Sequence, residues 1–475
     1  MSYLNSVATA SSRTLVKLVA ALVFLLSLIV PAFAGEFQAH VDYTTGLDPA
    51  SVAIGDFNRD KKVDVVVGNY DDDTESIFLG NGDGSFQPQL VFPSGTCPLW
   101  MTVVDINEDG IQDLIVTDHD SNTVSVIFGN GDGSFQLPVQ YPTGVTPLSV
   151  VVADFNGDSI LDMAVANASD KTISVLFGNG DGTFQPKVDY PTGATVLAIA
   201  TGDVNGDTKP DLIVANYNIN AVGVFIGNGN GTFQPVVNYA TGNRPNSVTV
   251  VDLNKDGKLD LVTANYDATS SSISILLGNG TGSFTTHVEL PVGPTPKGPY
   301  SAVPGDVNGD GKIDLVTANG NGNSVSVLLS NGDGTFQTHV EYPVVGSAKA
   351  VAVQDLNQDG APDLAVPNGE NTLSILLNTG GTFIKMKTSA NPSQFGQPVT
   401  FTTRVTASLS GVGSPTGTVT FRDGTTVLGI VDLINGQASL TTSTLSVGNH
   451  RIQSRYSGDT TFNPHISAAF VQVVQ

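Results

Sequence analysis

The stretch DVNGDGKID at residues 306–314 decides the fold, because acidic loops of the same pattern recur in register along the chain. Five of the six spacings between consecutive loops are 49 residues and one is 54. A fixed period of this length predicts a repeat architecture in which each repeat is one supersecondary unit. The leading residues of the seven loops are Asp56, Asp105, Asp154, Asp203, Asp252, Asp306 and Asp355.

Each repeat reads as four short antiparallel strands. In the first they are SVAIGDF (51–57), VDVVVGN (63–69), ESIFLG (75–80) and FQPQLVF (86–92). The turn GNGDGSF (80–86) joins the last two, and its Asn-Gly and Asp-Gly pairs favour a tight hairpin over a second calcium site. Seven such units predict an all-β fold with a seven-bladed β-propeller, whose edges are protected when the ring closes.

The segment FQAHVDY at residues 37–43 matches the fourth strand of a repeat, yet it precedes the first complete one. We therefore predict that it pairs into the last blade as a noncovalent clasp.

The acidic loops offer side-chain oxygens at positions 1, 3, 5 and 9, the donor type that calcium prefers. All seven loops carry Asp, Asn, Asp and Asp there, and these Asp residues are 21 of the 44 acidic residues. The pattern predicts up to seven Ca²⁺ ions; the alternative is a set of Asx turns that cap their own backbone. The candidate ligands are Asp56, Asn58, Asp60, Asp64, Asp105, Asn107, Asp109, Asp113, Asp154, Asn156, Asp158, Asp162, Asp203, Asn205, Asp207, Asp211, Asp252, Asn254, Asp256, Asp260, Asp306, Asn308, Asp310, Asp314, Asp355, Asn357, Asp359 and Asp363.

Position 6 of the loop favours a residue that tolerates positive φ. Four loops have Gly at this position, whereas the other three have Lys61, Ser159 and Thr208. Because a β-branched residue is the least suited to this conformation, we predict that the loop led by Asp203 binds calcium most weakly.

With these loops and turns, residues 36–383 resemble the FG-GAP or VCBS repeats of bacterial secreted proteins, which are related to the propeller of integrin α subunits. The resemblance implies a seven-bladed propeller with calcium on one rim, usually in adhesion or recognition. Lys61, Ser159 and Thr208 depart from the usual Gly. Residues 384–475, with SANP (389–392) and YSGD (456–459), resemble a bacterial immunoglobulin-like domain and predict a β-sandwich that acts as a spacer.

Residues 1–34 have the features of a signal peptide. Arg13 and Lys17 precede the apolar run 18–30, and AFA at 32–34 is a cleavage site. We expect a secreted protein, with the periplasm or the cell surface as further locations; an uncleaved membrane anchor is the alternative. Cys97 is the only cysteine, so no internal disulfide can form, and the formal charge of -24 argues against nucleic acid and anionic lipid as partners.

A ligand site is predicted on the face opposite the acidic loops, where an extracellular protein or a glycan would bind. Trp100 there interrupts a ring position occupied by small residues in the other repeats, although it could instead plug the channel. Tyr300, Arg244, Tyr70 and His119 are the accompanying candidates. The sequence contains no GxSxG or HExxH motif, so we expect no enzyme. A binding or adhesion protein is favoured, ahead of a lectin-like glycan binder and a polysaccharide hydrolase or lyase.

Overall fold

The computed structural model describes residues 36–267, 271–293, 298–408 and 412–475. The predicted signal peptide at residues 1–34 lies outside the described residues. Within them the fold is built from β-strands, with two short 3-10 turns at Tyr217–Ile219 and Gly320–Gly322 and no α-helix. No helix of this part of the chain is long and apolar enough to cross a membrane.

The repeats form seven four-stranded antiparallel sheets, numbered here in chain order. Sheet 1 contains β2 (Pro49–Gly55), β3 (Asp64–Asn69), β4 (Thr74–Phe78) and β5 (Leu90–Pro93). Sheet 2 contains β6 (Pro98–Val104), β7 (Asp113–Asp118), β8 (Thr123–Ile127) and β9 (Val139–Pro142). Sheet 3 contains β10 (Pro147–Ala153), β11 (Asp162–Asn167), β12 (Thr172–Leu176) and β13 (Val188–Pro191).

The remaining four sheets repeat this order. Sheet 4 contains β14 (Val196–Gly202), β15 (Asp211–Asn216), β16 (Ala221–Phe225) and β17 (Val237–Ala240). Sheet 5 contains β18 (Pro245–Val251), β19 (Asp260–Tyr266), β20 (Ser271–Leu276) and β21 (Val288–Pro291). Sheet 6 contains β22 (Ser301–Gly305), β23 (Asp314–Ala318), β24 (Ser324–Leu328) and β25 (Val340–Pro343). Sheet 7 contains β26 (Ala352–Gln354), β27 (Asp363–Asn368), β28 (Thr372–Leu376) and, from the N-terminal segment, β1 (Val41–Thr44).

The predicted clasp is confirmed. Strand β1 pairs antiparallel with β28, with Asp42 opposite Ser374, and Phe37 forms a further bridge to Asn378. Thus the fourth strand of sheet 7 comes from the opposite end of the repeat region.

Within each sheet, burial is high at the second strand and lowest at the fourth. The second strands are almost entirely buried, because both of their faces pack against neighbouring sheets, whereas the fourth strands are mostly exposed. The apolar cores lie between adjacent sheets: Val66, Ile77 and Phe57 of sheet 1 pack with Leu114 and Met101 of sheet 2. The first strand of each sheet contacts the first strand of the next, and β26 contacts β2.

The C-terminal unit is a two-sheet β-structure with its own core. One sheet contains β29 (Thr382–Thr388), β30 (Val399–Ala407) and β33 (Gln437–Thr442). The other contains β31 (Thr418–Asp423), β32 (Thr426–Asp432), β34 (Gly448–Tyr456), β35 (His465–Ile466) and β36 (Phe470–Val474). Phe401, Phe421, Tyr456 and Phe462 are buried in the core of this unit. Strand β29 begins two residues before the boundary expected at residue 384.

Candidate functional sites

Each acidic loop joins the first and second strands of its sheet and is given the number of that sheet. Each is held by side-chain to backbone hydrogen bonds. In the third loop, Asp154 Oδ1 accepts from the amide of Asp158, and Asp154 Oδ2 accepts from the amide of Ser159 at 2.8 Å. Asn156 Oδ1 also accepts from the Asp158 amide, and Asp158 Oδ1 accepts from the amide of Ile160. The bonds to Oδ2 of position 1 and to positions 3 and 5 recur in all seven loops, so the loops share one conformation.

The Asp at position 9 has a different environment from the other loop carboxylates. Asp64 is fully buried; its Oδ2 accepts from the amide of Phe57 at 2.9 Å and its Oδ1 from the amide of Gly80 at 2.8 Å. Burial, followed by the charges of Asp60 and Asp56, raises the pKa of Asp64 to about 6. The same pair of bonds occurs in every sheet, so position 9 ties the acidic loop to the hairpin turn of its own sheet.

The donor set of the loops suits calcium in its chemistry, since three carboxylates and an amide oxygen lie within nine residues. In loop 6, the Asp306 carboxylate accepts from the amide of Gly311 at 2.8 Å and lies near the amides of Gly309 and Asp310. Among the described residues, no three His, Cys, Asp or Glu side chains are grouped as a metal site. A calcium ion in these loops would therefore also need amide and backbone carbonyl oxygens as ligands.

Position 6 has positive φ in all seven loops, including 67° at Lys61, Ser159 and Thr208. Sequence reasoning missed two further features. Position 4 also has positive φ throughout, for example 61° at Arg59. Four loops carry Lys at position 7, and its ammonium group lies 3.0 to 3.6 Å from the carboxylate at position 5, where it would oppose a bound cation. These four lysines are Lys62, Lys209, Lys258 and Lys312.

Side chains at position 4 connect some loops to their neighbours. Arg59 of loop 1 donates to the carbonyl oxygen of Gly110 in loop 2 at 3.0 Å. Gln358 of loop 7 donates to the carbonyl oxygen of Lys61 in loop 1 at 2.9 Å. The last acidic loop therefore contacts the first.

A second candidate site is a cavity of about 260 Å³ formed at the first strands of the sheets. All seven repeats contribute the residue that lies six positions before the leading Asp of the loop. These lining residues are Ala50, Leu99, Leu148, Leu197, Asn246, Tyr300 and Lys349. The same spacing is visible in the sequence, but the predicted ligand site was based on the adjacent position, which includes Trp100.

The cavity has an apolar side and a polar side. Leu99, Leu148 and Leu197 of sheets 2 to 4 form the apolar side, and Lys349 on the opposite side forms an ion pair with Asp48. At the adjacent position, five residues before the leading Asp, three serines are buried with hydroxyl groups that have no hydrogen-bond partner. They are Ser51, Ser247 and Ser301.

The structure brings three of the five predicted ligand-site residues together at this cavity. Trp100, which is 36% exposed, lines it with Tyr70 and Tyr300. His119 lies behind Tyr70, whose hydroxyl group is 3.3 Å from His119 Nδ1. Arg244 does not line the cavity; its guanidinium lies 5.6 Å from the ring centre of Tyr217.

Two solved structures found as similar to this chain are BBS1N in its complex with ARL6DN and a lectin of Agrocybe aegerita that recognises non-reducing terminal N-acetylglucosamine. The first is 16% identical with a TM-score of 0.50 and covers 72% of this chain and 96% of its own. The lectin is 18% identical with a TM-score of 0.47, and the match covers 66% of this chain and 93% of the lectin chain. No curated protein is detectably similar in sequence.

The family comparison agrees with the repeat period. The FG-GAP-like repeat matches residues 56–116, 105–165, 160–214, 203–263, 252–317 and 306–366. The bacterial Ig-like domain of group 3 matches residues 386–475. The chain therefore belongs to the FG-GAP-like repeat family and ends in a bacterial Ig-like domain.

Proposed function

We propose that this protein is a secreted, calcium-stabilised binding protein whose seven sheets are the blades of a closed β-propeller. The observation that carries the binding role is the cavity to which all seven repeats contribute one residue of the same register position. A site whose lining side chains lie mainly on paired strands needs little ordering when a ligand binds, and this lowers the entropic cost of binding.

Calcium in the acidic loops would stabilise the blades. The loop carboxylates repel one another when no cation is bound, and a ligand that binds only the folded state adds to its stability. Loops 2 and 7 have Gly at position 6 and no Lys at position 7, so they should bind most tightly. Loops 1 and 4 combine a non-Gly residue with Lys62 or Lys209 and should bind most weakly.

The cavity favours a sugar as the ligand, with a protein segment as the second candidate. A sugar ring has an apolar face that stacks on an aromatic side chain and hydroxyl groups that need polar partners. Trp100 and the leucine side could contact the apolar face, while the side chain of Asn246 could bond the polar edge.

We propose binding rather than catalysis for this cavity. The titratable side chains that line it are Asp48, Lys349, Tyr70 and Tyr300. Asp48 and Lys349 neutralise each other as an ion pair, and burial raises the pKa of Tyr70 to about 12. No lining carboxyl is therefore free of a charged partner and positioned as a general acid or base.

A glycan array followed by calorimetry tests this proposal. For a sugar that binds, Trp100→Ala should weaken binding at least about tenfold, in line with the loss of a stacking anchor. The matched control is Leu137→Ala, which removes a 74% exposed apolar side chain outside the cavity. Equal affinity of wild type and Trp100→Ala would contradict the assignment of the cavity as the binding site.

A further inference from the structure

The seventh acidic loop differs from the other six in its burial. The carboxylate at position 5 is exposed in loops 1 to 6, whereas Asp359 in loop 7 has 0% exposure. Asn357 at position 3 is also buried, at 4%. The cover consists of the Ig-like domain and the segment that leads into it.

Ser408, at the end of β30, is one part of this cover. Its hydroxyl group donates to the carbonyl oxygen of Gly381 at 3.0 Å, and the carboxylate of Asp359 is an alternative acceptor for the same proton. The amide of Thr382 donates to the backbone oxygen of Asp359 at 2.8 Å. Gly381 lies so close to the Asp359 carboxylate that a Cβ there would be 1.8 Å from Oδ2.

Residues 463–465 of the Ig-like domain form the other part of the cover, and they reach two acidic loops. The amide of Asn463 donates to the carbonyl oxygen of Gly380 at 2.7 Å, and its side chain donates to the carbonyl oxygen of Val307 in loop 6 at 3.2 Å. The His465 ring packs on Gly360 of loop 7, where a Cβ would meet it at 2.6 Å. Both loops thus form part of the domain junction.

Burial of loop 7 creates an electrostatic demand that its own residues do not meet. Asp355, Asp359 and Asp363 are acidic, and position 7 is Ala361, so the ion pair that Lys312 supplies in loop 6 is missing here. Buried carboxylates are unfavourable without a counter-charge. A divalent cation in the loop would supply it.

We propose that loop 7 is an interdomain calcium site, at which the bound ion fixes the Ig-like domain on the repeat region and Ser408 supports the loop from the Ig-like side. The proposal rests on calcium binding by the acidic loops. Because coupling between two binding events is reciprocal, docking of the Ig-like domain must also strengthen calcium binding at loop 7.

Hydrogen exchange of the full-length protein, with and without calcium, tests the coupling. The reporters are the amides of residues 380–382, 408, 463 and 465, which lie at the junction. Removing calcium should speed their exchange about tenfold or more, as expected when a docked segment opens locally.

Two isosteric variants separate loop 7 from calcium effects elsewhere. Asp359→Asn removes the buried charge, so the exchange rates of the junction amides should no longer depend on calcium. Asp158→Asn makes the same change at the exposed position 5 of loop 3 and should leave that dependence as in wild type. Ser408→Ala should weaken one calcium site about threefold or more without changing the others, by the same reciprocity.

The outcomes distinguish the two proposals. If elemental analysis finds bound calcium but the junction amides exchange equally with and without it, the interdomain site is wrong and calcium binding stands. An unaltered calcium dependence in Asp359→Asn would also overturn it. If no loop binds calcium, both the interdomain site and the calcium part of the proposed function fail.

Discussion

Glu75 in sheet 1 and Asp118 in sheet 2 are fully buried carboxyl groups, and the charge of Asp118 acts on Glu75. Each has one oxygen without a hydrogen-bond partner, Oε2 of Glu75 and Oδ1 of Asp118. Oε1 of Glu75 accepts from the Ser94 hydroxyl group at 2.8 Å. The position of Glu75 is aliphatic in the other six sheets, as Val124, Ile173, Val222, Ile273, Val325 and Leu373.

Replacing Glu75 by Val should stabilise the fold. The change removes a buried oxygen that lacks a partner and gives sheet 1 the aliphatic side chain found in the other sheets. We expect the free energy of unfolding to rise by about 1–3 kcal/mol, measured by urea denaturation. The reverse change at the aligned position of sheet 2, Val124→Glu, should lower it. A lower stability of Glu75→Val would show that the carboxyl group makes a favourable interaction.

The same carboxyl group predicts a pH dependence of stability. Burial, and then the charge of Asp118, raises the pKa of Glu75 from 4.5 to about 8. A raised folded-state pKa means that the neutral form stabilises the fold fully below about pH 4.5, and that this contribution is lost as the pH rises towards 8.

Glu75→Gln isolates this effect from the titration of the loop carboxylates. In chelator, the stability of wild type relative to Glu75→Gln should fall by roughly a few kcal/mol as the pH rises from about 4.5 to 8. Urea denaturation across this range measures the difference. Parallel stability curves for the two proteins would mean that Glu75 titrates alike in the folded and unfolded states.

Thr208 in loop 4 should be a strained residue, because its φ is 67° and its side chain is β-branched. Thr208→Gly is therefore expected to raise the free energy of unfolding in calcium by about 1 kcal/mol. The matched control is Gly257→Thr in loop 5, where φ is 79° and a Cβ would meet nothing within 4 Å. That variant should lose a similar amount. If Gly257→Thr lowers the free energy of unfolding but Thr208→Gly does not raise it, Thr208 is not strained.

The repeat period and the turn signals were sufficient to predict the all-β fold, the strand order of each repeat and the clasp, because these depend on local patterns. The sequence did not reveal that Asp64 and its counterparts tie the acidic loop to the hairpin turn. The amide of Gly80 reaches this carboxylate only after the sheet has formed. Likewise, the period gave no sign that loop 7 is covered. That burial depends on how Asn463 and His465 of another domain pack on it.

Positions 9 and 5 of the same loop should differ in what they contribute without calcium. Asp162 in loop 3 accepts from the amides of Phe155 and Gly178, at 3.0 and 2.8 Å, and is fully buried. Asp158 is exposed and bonds only within its own loop. Truncating Asp162 therefore leaves two buried amides without an acceptor, whereas truncating Asp158 does not.

In chelator, Asp162→Ala should lower the free energy of unfolding by about 2–5 kcal/mol, and Asp158→Ala by less than about 1 kcal/mol. In calcium, both variants should bind one ion fewer than wild type, by elemental analysis, because both remove a candidate ligand. Urea denaturation in the two buffers separates the contributions. If the two variants lose the same free energy of unfolding in chelator, position 9 has no separate structural role. If Asp162→Ala still binds as many ions as wild type, position 9 is structural and does not bind calcium.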